Sequence, residues 1–141
     1  MGEWGQGGRL LIGALRGIAF GRGCSALTRR DFAIAFPGDA DEVFATFRAF
    51  LQALAHAGRR KLRAGPLGAQ PTPDETAVLA LIAAAQTGDE TLVDAHLCWL
   101  ARAEARIPVA ITARALATAL AVHGQWLHVP TRRSLPPLYG G

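Results

Sequence analysis

Arg59, Arg60, Lys61 and Arg63 put four cations into five residues, the densest charge on the chain. A cluster of that kind can contact the phosphates of nucleic acid or of anionic lipid. No aromatic residue is interleaved to stack on a base, and the run follows a predicted helix whose C-terminal dipole cations would neutralise. Both readings, anion contact and helix-end neutralisation, stay open. A second constellation, Thr112-x-x-x-Leu116-Ala117-x-x-Leu120-Ala121-Val122-His123-Gly124-x-x-Leu127, looks like the first helix, the turn and the start of the second helix in bacterial repressors. A DNA-binding regulator built on residues 112–133 would set Gln125, His128, Arg132 and Arg133 beside the groove. Pro130 opposes this, because inside a recognition helix it removes a hydrogen bond and clashes with the preceding turn, at about 3 kcal/mol.

The remaining reactive side chains do not converge. His96 and Cys98 project about 160° apart on a helix, and His123 and His128 straddle a glycine. Zinc requires ligands that meet at one point, so neither a metal nor any other cofactor is expected. Cys24 and Cys98 lack metal spacing and read as buried free thiols in a reducing compartment. The sequence holds no phosphate loop, nucleophile elbow or paired carboxylates. Without convergent polar groups, an enzyme is not expected.

A chain of 141 residues suits one domain with a sizeable core. Half the residues are apolar, with few aromatics, so alanine carries the apolar fraction and favours helix. Fourteen of the fifteen cations are arginine, which together with the alanine and glycine richness reads as GC-rich bacterial codon usage. Residues 1–70 hold ten basic and five acidic groups (+5), and residues 71–141 hold five and six (−1). That asymmetry points to one basic region rather than a uniformly basic nucleic-acid binder. Leu10 to Phe20 is too short to span a bilayer and is interrupted by Arg16. The Arg29-Arg30 pair lacks the apolar stretch an export signal needs. No transmembrane segment and a cytoplasmic setting are therefore expected.

The periodicity predicts five or six helices. Residues 1–8 read as a flexible glycine-rich start, 9–129 as one helical domain and 130–141 as an extended proline-rich tail. Residues 9–22 form an amphipathic helix, with Leu10, Leu11, Ala14, Leu15 and Ile18 on one face and Arg9 and Arg16 opposite. Its glycines at spacing four, Gly13, Gly17 and Gly21, suggest close approach of a neighbouring helix. Ser25 to Phe36 is a shorter helix. Residues 39–57 follow, with Val43, Phe47, Phe50, Leu51 and Leu54 as a core face. Thr72-Pro73-Asp74-Glu75 predicts a capping box opening a helix to Gln86. The same pattern recurs from Thr87 at an offset of fifteen, predicting a second helix with the same capping, from residue 89 or 90 to Arg106. Their carboxylates are cap groups rather than catalytic acids. Pro108 opens a last helix with Val109, Ala113, Leu116 and Leu120 inward. The tail Arg133 to Tyr139 looks like a ligand for SH3 domains, and Pro136-Pro137-Leu138-Tyr139 like one for WW domains, but those readers are chiefly eukaryotic and the expectation is an extended tail packed on its own bundle.

The order of apolar N-terminal helix, aromatic-rich helix, basic link, Gly-Pro loop and Thr72-Pro73-Asp74-Glu75 resembles a group of uncharacterised small helical bacterial proteins. The resemblance covers about residues 10–125 and implies a helical fold, with no activity attached. The expectation is an all-α, compact orthogonal bundle that binds another macromolecule, either a protein partner or a further copy of itself, as an adaptor or assembly subunit. Two alternatives stand beside it. One is the DNA-binding regulator; the other is a peripheral membrane protein using the basic amphipathic helix 9–22.

Overall fold

The computed structural model describes residues 4–19, 26–58, 62–66 and 70–128. These form six α-helices: α1 Gly5–Ala19, α2 Ala26–Ala35, α3 Ala40–Ala57, α4 Pro73–Thr87, α5 Glu90–Leu100 and α6 Arg106–Val122. A 3-10 turn, Ala103–Ala105, precedes α6. Among the described residues there is no strand, only one isolated bridge between Gly58 and Ala101. The expected all-α bundle is what the chain forms. The tail 130–141, with its two ligand-like motifs, and Cys24 lie outside the described residues.

α4 is the central helix. Asp74 to Leu79 and Leu81 to Ala84 are all buried, the all-round burial of a helix packed on several sides. It packs on α5, α6 and α1, while α3 packs mainly on α6. The aromatic face of α3 is core as predicted: Val43, Phe47, Phe50 and Leu54 are buried and Leu51 partly so. Phe32 meets Phe36 and Phe44 at ring separations of 5.5 and 5.4 Å, joining α2 to α3.

The capping box at Thr72 is present. The Thr72 hydroxyl accepts from the Glu75 amide at 3.1 Å, and the Glu75 carboxylate accepts from the Thr72 amide at 2.8 Å. Gly88, with φ of +73°, closes the other end in the left-handed conformation glycine favours. Thr72→Ala should lower stability by about 0.5–2 kcal/mol, read as a shift of the urea midpoint; an unmoved midpoint would show that the box is dispensable. The repeat at offset fifteen works differently. Thr87 is the last residue of α4, and Asp89 caps α5 through the Leu92 amide at 3.1 Å.

Several boundaries depart from the sequence expectations. The first helix begins at Gly5 rather than Arg9, so Gly5 to Gly8 are helical and Trp4 is buried instead of belonging to a flexible start. The glycines explain the fit. A Cβ at Gly8 would collide with Trp4, and one at Gly7 would lie 3.1 Å from Leu127 and 3.2 Å from the Gln125 carbonyl oxygen. Close approach therefore falls at Gly7 and Gly8, while a Cβ at Gly13 would meet nothing within 4 Å.

α5 ends at Leu100, six residues before the expected Arg106. There the chain turns extended, and the Arg102 amide donates to the Ala57 carbonyl at 2.8 Å. The Arg102 guanidinium donates to the His56 carbonyl at 2.7 Å. Two otherwise unpaired carbonyls at the end of α3 gain donors this way, which continuing α5 would forfeit.

Arg16 is the largest departure. Expected on the outer face of the first helix, it is only 2% exposed. Its Nε donates to Glu75 Oε2 at 2.8 Å and its Nη2 to Oε1 at 2.9 Å, a bidentate pair. The Gly65 amide donates to the same carboxylate at 3.1 Å. Glu75 thus joins α1, the Gly-Pro loop and the start of α4. Burial pushes its carboxyl pKa upward, but the bonds from Arg16, Thr72 and Gly65 and the arginine charge outweigh this and hold it below its ordinary value.

Candidate functional site

The cation cluster divides. Arg59, Arg60 and Lys61 lie outside the described residues. Arg63 is tied in by its backbone: its amide donates to Asp74 at 2.7 Å and its carbonyl accepts the Thr72 hydroxyl at 2.7 Å. Its exposed side chain remains available to an anion. The cation placed on the end of α3, among those described, is Arg102.

The segment expected to begin a recognition helix is not helical over residues 125–128. Gln86 holds it, donating from Nε2 to the Gln125 carbonyl at 3.1 Å and accepting from the Leu127 amide at 2.8 Å. The His128 amide donates to the Trp4 carbonyl at 3.0 Å, and Leu127 is buried. Gln125 and His128 therefore anchor the chain to α4 and to the residues ahead of α1. Arg132 and Arg133 lie outside the described residues.

His96 and Cys98 separate as their spacing implies. His96 is buried on the α5 inner face, and burial lowers its pKa by disfavouring the imidazolium. Cys98 is exposed, not buried as its sequence context suggests. His123 is drawn to Asp39 at 3.0 Å and stands edge-on to Phe36 at 5.3 Å, closing the end of α6 onto the start of α3. The described histidine, cysteine and acidic side chains form no group that could hold a metal ion.

The surface feature that the sequence reading missed lies on α6. Its inner face is the predicted one: Val109, Ala113, Leu116 and Leu120 are buried, with Ala110 and Ala117. Its outer face is apolar as well. Ile107, Ile111 and Val122 are 73%, 60% and 75% exposed. Ala115 and Thr118 complete the stripe, also exposed, and Trp126 extends it past the helix end at 48%. The only charged residues of α6 are Arg106 and Arg114. Arg114 is held to Glu90 on α5 at 2.6 Å. Beside the stripe an open groove of about 410 Å³ runs between α5 and α6, lined by Asp94, Cys98, Arg106, Ile107 and Arg114 among others.

The signal was available in the sequence as a second three-four series, 107-111-115-118-122, out of phase with the core stripe. The two series together make Ala103–Val122 long and apolar enough to cross a membrane by length and composition, at a mean hydropathy of 1.4. A third of the 103–122 stretch is buried inside the bundle. No protein-family model, no curated protein and no solved structure matches the chain.

Proposed function

We infer that this chain is a non-enzymatic binding protein that docks another macromolecule on the outer face of α6, as an adaptor or assembly subunit does. One observation carries the reading: α6 is apolar on both faces, and among the described residues only the inner one is covered. Single exposed apolar residues are ordinary, but Ile107, Ile111 and Val122 stand more than half exposed in line on one helix. Contiguous apolar surface of that kind marks interaction sites, since water contact over it is unfavourable. The flanking groove supplies polar rim groups from Asp94, Arg106 and Arg114, matching the common pattern of an apolar centre and a charged edge.

Photo-crosslinking from position 111 in the source organism tests this. A benzophenone side chain there should give a discrete adduct with a macromolecule, while the same group at exposed Ala45 on α3 should give none. Equal labelling from both positions, or none from either, would count against the outer face of α6 as the docking surface.

A further inference from the structure

We propose that the occupant of this face is a second copy of the chain, with two α6 helices packed antiparallel about a two-fold axis beside the Arg114–Ala115 peptide. The inference rests on the reading of α6 as a docking surface and adds the identity of its partner.

The register carries it. An isologous interface must be self-complementary, each position meeting its mirror position on the second copy. In an antiparallel helix pair, the positions equidistant from the axis meet. About the point between Arg114 and Ala115, Ile107 and Val122 are equidistant, and so are Ile111 and Thr118. All four lie on the exposed face. Ile107 of each copy therefore meets Val122 of the other, and Ile111 meets Thr118.

The centre is small and the charges are already placed. Ala115 stands beside the axis on one edge of the seam, so the helices can approach to about 8 Å. Arg114 stands on the other edge, where two arginines would repel if free. Each is held to its own Glu90 at 2.6 Å, so two neutral pairs rather than two bare cations come side by side there. The stripe itself carries no charge to desolvate. Antiparallel packing further sets the two helix dipoles against each other favourably.

The size sets the strength. From Ile107 to Val122 the face is about 22 Å long at 1.5 Å per residue. A single-helix seam of that length falls below the standard interface of about 1,600 Å². A reversible dimer in the micromolar range is expected, visible as a mass that rises with concentration.

The test uses the full chain in sedimentation velocity across a concentration series. Wild type should pass from monomer to dimer, and Ile111→Arg and Val122→Arg should each stay monomeric with an unchanged far-UV circular dichroism spectrum. In a Cys24→Ser, Cys98→Ser background, Ala115→Cys should form a covalent dimer under mild oxidant, because the two-fold brings the two positions within disulfide reach. Ala45→Cys should not. A wild type that is monomeric at every concentration would overturn the proposal, as would a dimer indifferent to both arginines or one in which cysteines at 115 fail to link. A monomer that pellets with phosphatidylglycerol vesicles and is released by Ile111→Arg would overturn it in favour of a membrane surface. A position-111 adduct to a different protein, with no dimer, would leave the docking surface standing and remove only the second copy. No adduct and no dimer would remove both.

Discussion

Arg16→Met is expected to destabilise the chain by about 3–5 kcal/mol, the usual result of removing one member of a buried ion pair. Arg16 and Glu75 are both almost fully buried. Methionine fills much of the space but leaves the carboxylate without its bidentate partner. The capping bonds from the Thr72 and Gly65 amides stay, so the substitution isolates the arginine's part. Arg9→Met, on the exposed side of α1, should stay within about 0.5 kcal/mol of wild type. Urea unfolding of the three proteins reads the comparison. A loss no larger at Arg16 than at Arg9 would show that the pair does not tie α1 to α4.

Acid titration of stability adds a second reading. His96 has a lowered pKa in the folded chain, so stability should begin to fall as pH drops below about 6.5, where the unfolded chain takes up the proton first. Glu75 is also lowered, so its contribution is complete above about 4.3 and is lost as pH falls further toward its native value. Removing Arg16 should flatten the second fall and leave the first in place.

Phe47→Ala is expected to cost about 3–5 kcal/mol. Phe47 is fully buried on α3, the helix that packs most closely on α6, and truncation loses both its transfer free energy and its packing contacts. Phe44, at the edge of the same face and only partly buried, should cost less when truncated. Thermal unfolding at matched concentration orders the two. A Phe47→Ala protein as stable as wild type would mean that the α3 face is not the core of the isolated chain.

What the sequence made legible was local. The period of α3, the inner stripe of α6 and the Thr72-Pro73-Asp74-Glu75 cap each depend on residues within a turn or two, and all three are present. What escaped depends on partners far along the chain. Arg16 reads as a solvent-facing cation because its periodicity is that of a polar face, and only Glu75, 59 residues away, makes its burial tolerable. The end of α5 depends likewise on Ala57 supplying a better acceptor to Arg102 than the helix could. Gly7 reads as part of a loose start because the segment it accommodates, around Gln125 and Leu127, is more than a hundred residues later. The outer stripe of α6 was hidden for another reason. Its residues are as apolar as the core stripe beside them, and a helix apolar on both sides gives little amphipathic contrast.

The central claim is that the outer face of α6 belongs to a partner and not to the chain's own core. It is tested most directly by the thermal stability of Ile111→Arg at sub-micromolar concentration, where association contributes nothing. Ala113→Arg, on the buried face of the same helix, serves as the contrast. Ile111→Arg is expected to unfold within about 0.5 kcal/mol of wild type, whereas Ala113→Arg should fail to fold. A loss of about 3 kcal/mol or more at position 111 would contradict it, placing that face inside the monomer and leaving α6 no surface to offer.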